Sequence, residues 1–280
     1  MKDSKIEELI MGFTLGCRGH DYPKTSPEEL FRLISKSGWT HIQLAFKKSF
    51  PNIKEYADVS EEFVEDVVTS LEKNNLKVSV LGVYVDLGTK DEVKRQQAVK
   101  DFISQLWVAK RLDAVIASET TNWNKQPEGT TREEGLAQVK KSLDEILPIA
   151  KELGVKVALE AGYEHTMNSI EAIDEIFNSY PDLFAIFDPG NLLGPEWLDN
   201  QSELYSRAIQ IYGERIKCVH FKGVRFEELK RFSCLLEESQ VDYQAAFTCL
   251  KTLKHDIPVS REEAIPERAK SDQSFMSQYF

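Results

Sequence analysis

Cysteine is scarce in this sequence, and the few cysteines lie far apart. The 280 residues include only Cys17, Cys218, Cys234 and Cys249, and no two of them form a CxxC pair. This spacing excludes the common zinc-finger and zinc-ribbon sites, which need closely spaced ligands. It also offers no disulfide framework, so we expect free thiols in a reducing compartment.

The chain also lacks the apolar segments that would take it to a membrane or out of the cell. No stretch approaches the roughly 20 apolar residues that a membrane span needs. The first residues, Met1–Glu8, are charged and do not form the apolar core of a signal peptide. We therefore expect a soluble, cytoplasmic protein with no membrane partner.

Positive charge is in deficit as well. The chain has 35 lysine and arginine residues against 46 aspartate and glutamate residues, which gives a formal net charge of −11. Such a balance repels phosphate backbones and argues against nucleic acid as a partner, although a locally basic cleft would weaken that argument. Phosphate-binding loops are missing too, because neither GxGxxG nor GxxxxGK(S/T) follows any predicted strand.

What the sequence does contain is a regular alternation of short apolar runs and longer amphipathic stretches. It is 41% hydrophobic and 29% charged, so it can bury a sizeable core. Most of the apolar runs are too short for helices and are rich in Val, Ile and Phe, which is typical of buried parallel strands. The eight predicted strands are Gly12–Gly16, His41–Ala45, Val78–Val85, Ala114–Ala117, Val155–Glu160, Phe184–Asp188, Ile216–Phe221 and Ile257–Ser260.

Helix-start signals lie between these strands. Ser26–Glu29 and Thr131–Glu134 have the pattern of capping boxes, and Gly38 and Gly154 lie where the two helices are expected to end. Strand followed by helix, eight times without a linker, favours a closed barrel over an open doubly wound sheet. The predicted fold class is therefore α/β, a single (β/α)8 TIM barrel that forms one domain over residues 1–280. Further helices are expected at Ser60–Asn74, Asp91–Arg111, Ser169–Asn178, Gln201–Tyr212, Asp242–Leu253 and Ser271–Tyr279.

Polar side chains lie at the ends of the last four predicted strands. In a (β/α)8 barrel the chemistry collects where strands end and the following loops begin. Three carboxylates cannot share a small, partly dry cavity unless a cation offsets their repulsion. Three oxygen ligands and one imidazole suit Mn²⁺, Mg²⁺, Co²⁺ or Zn²⁺, and the residue types do not choose among these metals. The predicted metal ligands are Glu160, Asp188, His220 and Glu262.

Each of these residues also has an ordinary structural interpretation. Asp188 precedes a proline and could simply cap a helix. Glu160 could be a solvated loop residue, and His220 could be a core histidine with satisfied hydrogen bonds. Glu262 competes with Glu263, which follows it directly. The shared metal site is favoured because four unrelated residues would otherwise have to fall at matching strand ends by accident.

Four short motifs around these residues resemble a known family. They are Leu159-Glu160, Phe187–Asn191, Val219–Lys222 and Pro258–Glu262. They are similar to the successive signatures of the xylose-isomerase-like TIM-barrel superfamily, which includes sugar epimerases and isomerases, inosose dehydratases and an apurinic-endonuclease type. The resemblance extends over essentially the whole chain. It implies the fold and the metal site, and it says little about the substrate.

The function that the resemblance implies is that of a divalent-metal-dependent isomerase or epimerase of a small sugar or sugar derivative. A metal that holds a ketose by its carbonyl and adjacent hydroxyl oxygens acidifies the C–H between them and stabilises the enediolate. In the ketose 3-epimerase branch the two metal-ligating glutamates also act as the acid–base pair. The resemblance therefore implies that Glu160 and Glu262 do so here, one removing the proton and the other returning it. Two alternatives stay open: a metal-dependent dehydratase of a keto-inositol or related polyol, and a non-catalytic sugar-binding barrel.

One departure from the family pattern concerns the endonuclease type. Asn191 stands where the ketose epimerases and the endonucleases usually have histidine, and neither the third nor the fourth predicted strand ends in one. A trinuclear zinc cluster therefore lacks ligands, which together with the acidic charge argues against DNA as a substrate. Relatives are often dimers or tetramers, so a homo-oligomer is expected, and the aromatic tail 275–280 could pack on its own barrel or on a neighbour.

Several residues near the predicted metal site are candidates for the substrate pocket. His165 lies in the loop after the fifth strand, and Lys222 lies two residues after His220, so both could reach a small sugar. Equally, His165 could be an ordinary loop histidine, and Lys222 could form a salt bridge with a carboxylate of the barrel. Arg261 alternates with Glu262 along its strand and is expected to point outwards without a role in the site. The predicted substrate-binding residues are His165, Lys222, Asn191 and Glu119, with Arg18, Gln43 and Trp123 as further candidates for the pocket wall.

Overall fold

The computed structural model describes residues 12–280, which form ten strands and eleven helices. The strands are β1 (Phe13–Arg18), β2 (His41–Leu44), β3 (Lys77–Gly82), β4 (Val115–Glu119), β5 (Val157–Glu160), β6 (Phe184–Phe187), β7 (Ile216–Phe221), β8 (Gly223–Glu227), β9 (Lys230–Cys234) and β10 (Ile257–Arg261). The helices are α1 (Pro27–Lys36), α2 (Phe46–Ser49), α3 (Glu61–Lys73), α4 (Glu92–Ser104), α5 (Leu106–Arg111), α6 (Arg132–Leu153), α7 (Ile170–Ser179), α8 (Pro189–Leu192), α9 (Gln201–Tyr212), α10 (Tyr243–Leu250) and α11 (Ala269–Met276).

Eight of the strands pair in parallel and close into a barrel. Their order around the ring is β1-β10-β7-β6-β5-β4-β3-β2, so each strand lies beside its neighbour in the chain once the β8–β9 pair is set aside. The eight predicted strands correspond one for one to these eight, with boundaries that differ by a few residues. The predicted fold class, a single (β/α)8 TIM barrel, is confirmed.

Helix ends follow the signals in the sequence. The Ser26 hydroxyl accepts a hydrogen bond from the backbone N–H of Glu29, and Thr131 and Glu134 form a reciprocal capping box at the start of α6. The same helix ends at Gly154 with φ of +70°, a left-handed conformation that glycine adopts without a Cβ clash. No helix within residues 12–280 combines the length and the apolar character needed to cross a bilayer.

The barrel has two buried regions. The larger one lies between the strands and the surrounding helices, and it includes most of the buried aromatic residues. The smaller one is a layer of side chains in which five neighbouring strands each contribute one residue, and we place it inside the barrel. This inner layer consists of Val80, Ala117, Ala158, Ile186 and Cys218.

A β-hairpin that the sequence analysis missed follows β7. Strands β8 and β9 pair antiparallel through a two-residue turn, Glu228 and Leu229, whose φ angles are +47° and +66°. Two-residue hairpin turns of this kind are normally marked by glycine or asparagine, and this turn has neither. The Ser233 hydroxyl on β9 bonds to Glu263, at 3.0 Å, which attaches the hairpin to the carboxyl end of the barrel.

The C-terminal aromatic tail packs on its own barrel. The ring of Phe280 lies 5.1 Å from the ring of Phe13 on β1 and 5.2 Å from that of Phe247 on α10. The ring of Phe275 on α11 lies 5.9 Å from the ring of Tyr243, which is also on α10. Of the two positions expected for the tail, the structure therefore contains the one within its own chain.

Candidate metal centre

Three consecutive strands bring Glu160, Asp188 and His220 to the carboxyl end of the barrel. Glu160 ends β5, Asp188 directly follows β6, and His220 is the penultimate residue of β7. Each lies two residues after a member of the inner layer, and alternate residues of a strand share a face, so all three side chains point into the barrel. All three residues are buried, and each is at most 5% exposed.

The ligand atoms of these three residues lie within 4.8 Å of one another. Nδ1 of His220 is 3.2 Å from Oε2 of Glu160 and 3.6 Å from Oδ2 of Asp188. Neither ring nitrogen of His220 has a hydrogen-bond partner in the described part of the chain. Buried polar atoms without a partner are rare in folded proteins. A divalent cation would bind the imidazole nitrogen and the carboxylate oxygens together, so the donor set fits a metal ion.

Glu262 lies beside this compact set. It follows β10, and its Oε1 is 3.4 Å from Nδ1 of His220. The neighbouring Glu263 turns away with φ of +57°, and its carboxylate bonds to the Ser233 hydroxyl. The structure therefore brings the other three predicted ligands around His220 and separates Glu262 from its competitor.

Three donors contact the Glu262 carboxylate besides the histidine. Nζ of Lys222 is 2.6 Å from Oε2, and Nε2 of Gln43 donates to Oε1 at 3.3 Å. Nη1 of Arg18 lies 3.6 Å from Oε2. The same Lys222 ammonium is 2.9 Å from Oδ2 of Asp188. Lys222, a predicted substrate-binding residue, thus makes ion pairs with two of the site's carboxylates.

The charges in this cluster shift the pKa values of its members. Burial alone would lower the pKa of His220, but Glu262 and Glu160 outweigh that effect and raise it well above its usual range. Burial alone would raise the pKa of Glu262, but His220, Lys222 and Arg18 lower it well below its usual range. Glu262 is therefore ionised at neutral pH.

Asp188 caps a helix with one carboxylate oxygen and faces His220 with the other. Its Oδ1 accepts the backbone N–H of Asn191 at 2.8 Å, which caps α8, while its Oδ2 faces His220. The Asn191 side-chain amide donates to Oε1 of Glu160. Its carbonyl oxygen accepts from Nη2 of Arg231 on β9, at 2.8 Å. Arg231 was not predicted, because it belongs to the hairpin that the sequence analysis missed.

Glu119 and His165 lie together on another side of the site. Glu119 ends β4 in register with Glu160, and burial and that neighbouring carboxylate raise the pKa of Glu119. Nε2 of His165 is 3.6 Å from Oε2 of Glu119. Trp123 is covered by the guanidinium of Arg132, 3.7 Å above its ring. These residues adjoin the compact set without belonging to it.

Tyr84 is a further residue that sequence reasoning missed. Its hydroxyl accepts a hydrogen bond from Gln43 at 3.0 Å, the ammonium of Lys48 lies 3.4 Å from the centre of its ring, and the His20 ring packs edge-on against it. Tyr84 lies two residues after the end of β3. The rule that located the other site residues, polar groups at strand ends, would also have found it.

The chain matches one family description. The model of the family described as xylose isomerase-like TIM barrel matches residues 31–279. Among curated protein sequences there is no significant match.

Solved structures share the fold at low sequence identity. One is the IolI protein with a bound zinc atom, at 19% identity, covering 96% of this chain and 99% of that one, with a TM-score of 0.74. Another is the 3-keto-D-glucoside 4-epimerase from E. coli, at 14% identity, 95% and 100% coverage and a TM-score of 0.70. A third is a xylose isomerase-like TIM barrel protein from Mycobacterium smegmatis in complex with magnesium, at 15% identity, 96% and 98% coverage and a TM-score of 0.66.

Proposed function

Because the chain belongs to the xylose isomerase-like TIM barrel family, we propose that it is a metal-dependent isomerase or epimerase of a small sugar or sugar derivative. The observation that carries this proposal is the buried set of Glu160, Asp188 and His220, with ligand atoms within 4.8 Å of one another. Clustered buried charges destabilise a protein unless they are compensated, so a barrel that only bound sugar would gain nothing from them.

A divalent metal ion is the cofactor in this proposal. Glu160, Asp188 and His220 would hold it, and Glu262, which borders the same imidazole, is the fourth candidate ligand. Such an ion polarises a carbonyl oxygen and acidifies the adjacent C–H. Mn²⁺, Mg²⁺, Co²⁺ and Zn²⁺ all accept this donor set, and the zinc and magnesium in the two similar structures support a divalent cation without selecting one.

Glu262 and Glu160 form the acid–base pair of the proposed reaction. Glu262 is kept ionised by His220, Lys222 and Arg18, and the ionised form is the one that accepts a proton from a substrate carbon. Glu160 is the second carboxylate beside His220, and in its protonated state it returns a proton. Return to the opposite face of the same carbon gives an epimer, whereas return to the neighbouring carbon exchanges aldose and ketose.

The sugar is proposed to contact His165, Glu119, Asn191 and Lys222. His165 and Glu119 lie together beside the metal centre and offer a donor and an acceptor for hydroxyl groups. Asn191 already has its amide and carbonyl groups engaged, and Lys222 already contacts two carboxylates. A sugar that contacted Asn191 or Lys222 would therefore share these side chains with the protein groups that they already bind.

Solvent isotope exchange tests this function. The protein is stripped with a chelator, reloaded with Mn²⁺, and incubated in D₂O with a panel of ketoses and keto-inositols. We expect metal-dependent incorporation of one deuterium at the carbon next to the carbonyl, in a product of otherwise unchanged mass. Loss of water with formation of an absorbing enone would instead identify the dehydratase alternative. Sugar binding without any exchange would identify the non-catalytic barrel.

The homo-oligomer and the cytoplasmic location expected from the sequence stay predictions. Light scattering of the purified protein measures the first, and fractionation of the source cells measures the second. Neither result alters the proposed chemistry, because every residue in it comes from one chain.

A further inference from the structure

Lys222 places a positive charge between two carboxylates of the site. It lies two residues after His220, so its side chain points to the same face, and it is 6% exposed. Its ammonium is 2.9 Å from Oδ2 of Asp188 and 2.6 Å from Oε2 of Glu262. One of these carboxylates is a proposed metal ligand, and the other is a proposed acid–base group.

The oxygen that Lys222 contacts on Asp188 is the one that a metal would need. Oδ1 of Asp188 is already used by the backbone N–H of Asn191, which caps α8. Oδ2 is the oxygen that faces His220, and it is also the oxygen that contacts the ammonium. A metal held by the compact set therefore has to share this oxygen with Lys222.

The guanidinium of Arg18 does not contact both carboxylates as this lysine does. Nε and Nη2 of Arg18 both donate to Asp21, at 2.9 Å and 2.7 Å, and only Nη1 approaches Glu262, at 3.6 Å. Within residues 12–280 the ion pairs of Arg18 are with Asp21 and Glu262, and none joins it to Asp188. Without Lys222 the imidazole of His220 would still lie between the carboxylates of Asp188 and Glu262, but less positive charge would offset their repulsion in this poorly solvated space.

We propose that Lys222 is a resident cation that shares Asp188 with the metal ion. It holds Asp188 and Glu262 together while the metal is absent, and it weakens metal binding because the two cations use the same oxygen. Lys222 is therefore a positioning residue of the site. This inference rests on the proposed metal-dependent function, since it concerns the same ligands.

Removal of the ammonium tests the inference in the full-length protein. Lys222→Met removes the charge, Lys222→Gln keeps a hydrogen-bond donor, and Lys217→Met is the matched control. Lys217 lies near the start of β7, the strand that Lys222 directly follows, and its ammonium donates to the backbone oxygen of Glu214. The measurements are the melting temperature of the chelator-treated protein and the affinity for Mn²⁺ by titration calorimetry.

We expect both Lys222 variants to melt at a lower temperature than the wild type after chelation, and to bind Mn²⁺ roughly tenfold more tightly, because one competing charge is gone. If Lys222 instead supported the metal site, its removal would weaken Mn²⁺ binding, which is the opposite result. The Lys217→Met control should leave the Mn²⁺ affinity unchanged. If Lys222→Met fails to fold, Lys222→Gln supplies both measurements.

Two results would overturn the inference in different ways. If the Lys222 variants bind Mn²⁺ with the wild-type affinity or more weakly, Lys222 does not compete with the metal, and the proposed function is untouched. If neither the wild type nor any variant binds Mn²⁺, Zn²⁺ or Mg²⁺, the metal-dependent function fails together with the sharing of Asp188.

Discussion

Arg231 donates a hydrogen bond from Nη2 to the side-chain oxygen of Asn191, at a distance of 2.8 Å. This contact orients the Asn191 amide so that its nitrogen faces Glu160 and donates to Oε1. The other oxygen of Glu160 is then left facing Nδ1 of His220. A residue of the β8–β9 hairpin thus helps to orient a proposed metal ligand that it does not touch.

Substitution of Asn191 by Leu should weaken metal binding. Groups that orient metal ligands commonly contribute about tenfold or more to affinity, and we expect a loss of about tenfold in the affinity for Mn²⁺. Arg231→Met should produce a smaller loss in the same direction. The control is Arg225→Met, at an exposed arginine of the same hairpin that pairs with Glu227. Equal Mn²⁺ affinities for all three variants, measured by calorimetry, would argue against this role.

Glu262→Gln should strongly slow the proposed reaction while leaving the fold intact. The amide keeps the shape of the side chain but cannot accept the substrate proton, and loss of a general base typically lowers turnover by about two to four orders of magnitude. Glu263→Gln is the matched control, because its side chain contacts Ser233 outside the compact metal set. Isotope exchange measures both variants. Similar rates for the two would remove Glu262 from the acid–base pair.

A better-suited sequence at the turn of the β8–β9 hairpin should stabilise the protein. Glu228 and Leu229 adopt left-handed backbone conformations, which are unfavourable for residues with a Cβ atom. Replacing the pair with Asn-Gly should raise the free energy of unfolding by about 1 kcal/mol, because this pair suits such a turn. Leu229 is 75% exposed, so little packing is lost. Urea denaturation measures the change, and a decrease in stability would contradict the proposed source of strain.

His41 should make stability depend on pH. Its Nε2 lies 2.9 Å from the backbone oxygen of Thr14, its Nδ1 lies 3.1 Å from the Ser79 hydroxyl, and burial lowers its pKa to about 4. The unfolded chain, with an ordinary pKa near 6.5, binds the proton first as pH falls. The stability from neutral His41 is therefore lost between about pH 6.5 and pH 4.

Between pH 7.5 and pH 5 this loss amounts to about 2 kcal/mol in the free energy of unfolding. Replacing His41 with Gln, which keeps an amide donor for the Thr14 oxygen, should make the unfolding free energy less sensitive to pH over that interval. Urea denaturation at both values of pH gives the comparison. If the wild type and the variant lost the same free energy on acidification, the assignment to His41 would be wrong.

The sequence predicted the barrel and the positions of its polar strand ends because both follow from local patterns. Side chains alternate between the two faces of a strand, so Glu262 is expected to face the opposite way from Arg261 and Glu263. The same alternation placed Arg261 outwards, and the structure confirms it with an ion pair to Asp272 of α11, at 2.8 Å. Helix starts were predictable because capping residues act on the next few residues of their own chain.

The contacts within the site could not be predicted in the same way. That Lys222 reaches both Asp188 and Glu262 depends on the register of three strands and on side-chain conformations, neither of which a strand pattern specifies. The hairpin that carries Arg231 has no glycine or asparagine at its turn, and its short strands resemble an ordinary loop. Its part in the site could therefore be seen only after the chain had folded over the barrel end.

Strand β10 pairs with both β1 and β7, and Glu262 directly follows its last residue, Arg261. During synthesis on the ribosome, this last strand of the barrel emerges after Glu160, Asp188, His220 and Lys222. The ring cannot close until β10 has been made, and the last carboxylate arrives in the same event. A nascent chain that is released before β10 is made would lack both the proposed base and a closed ring, so turnover in the proposed reaction would come from complete barrels alone.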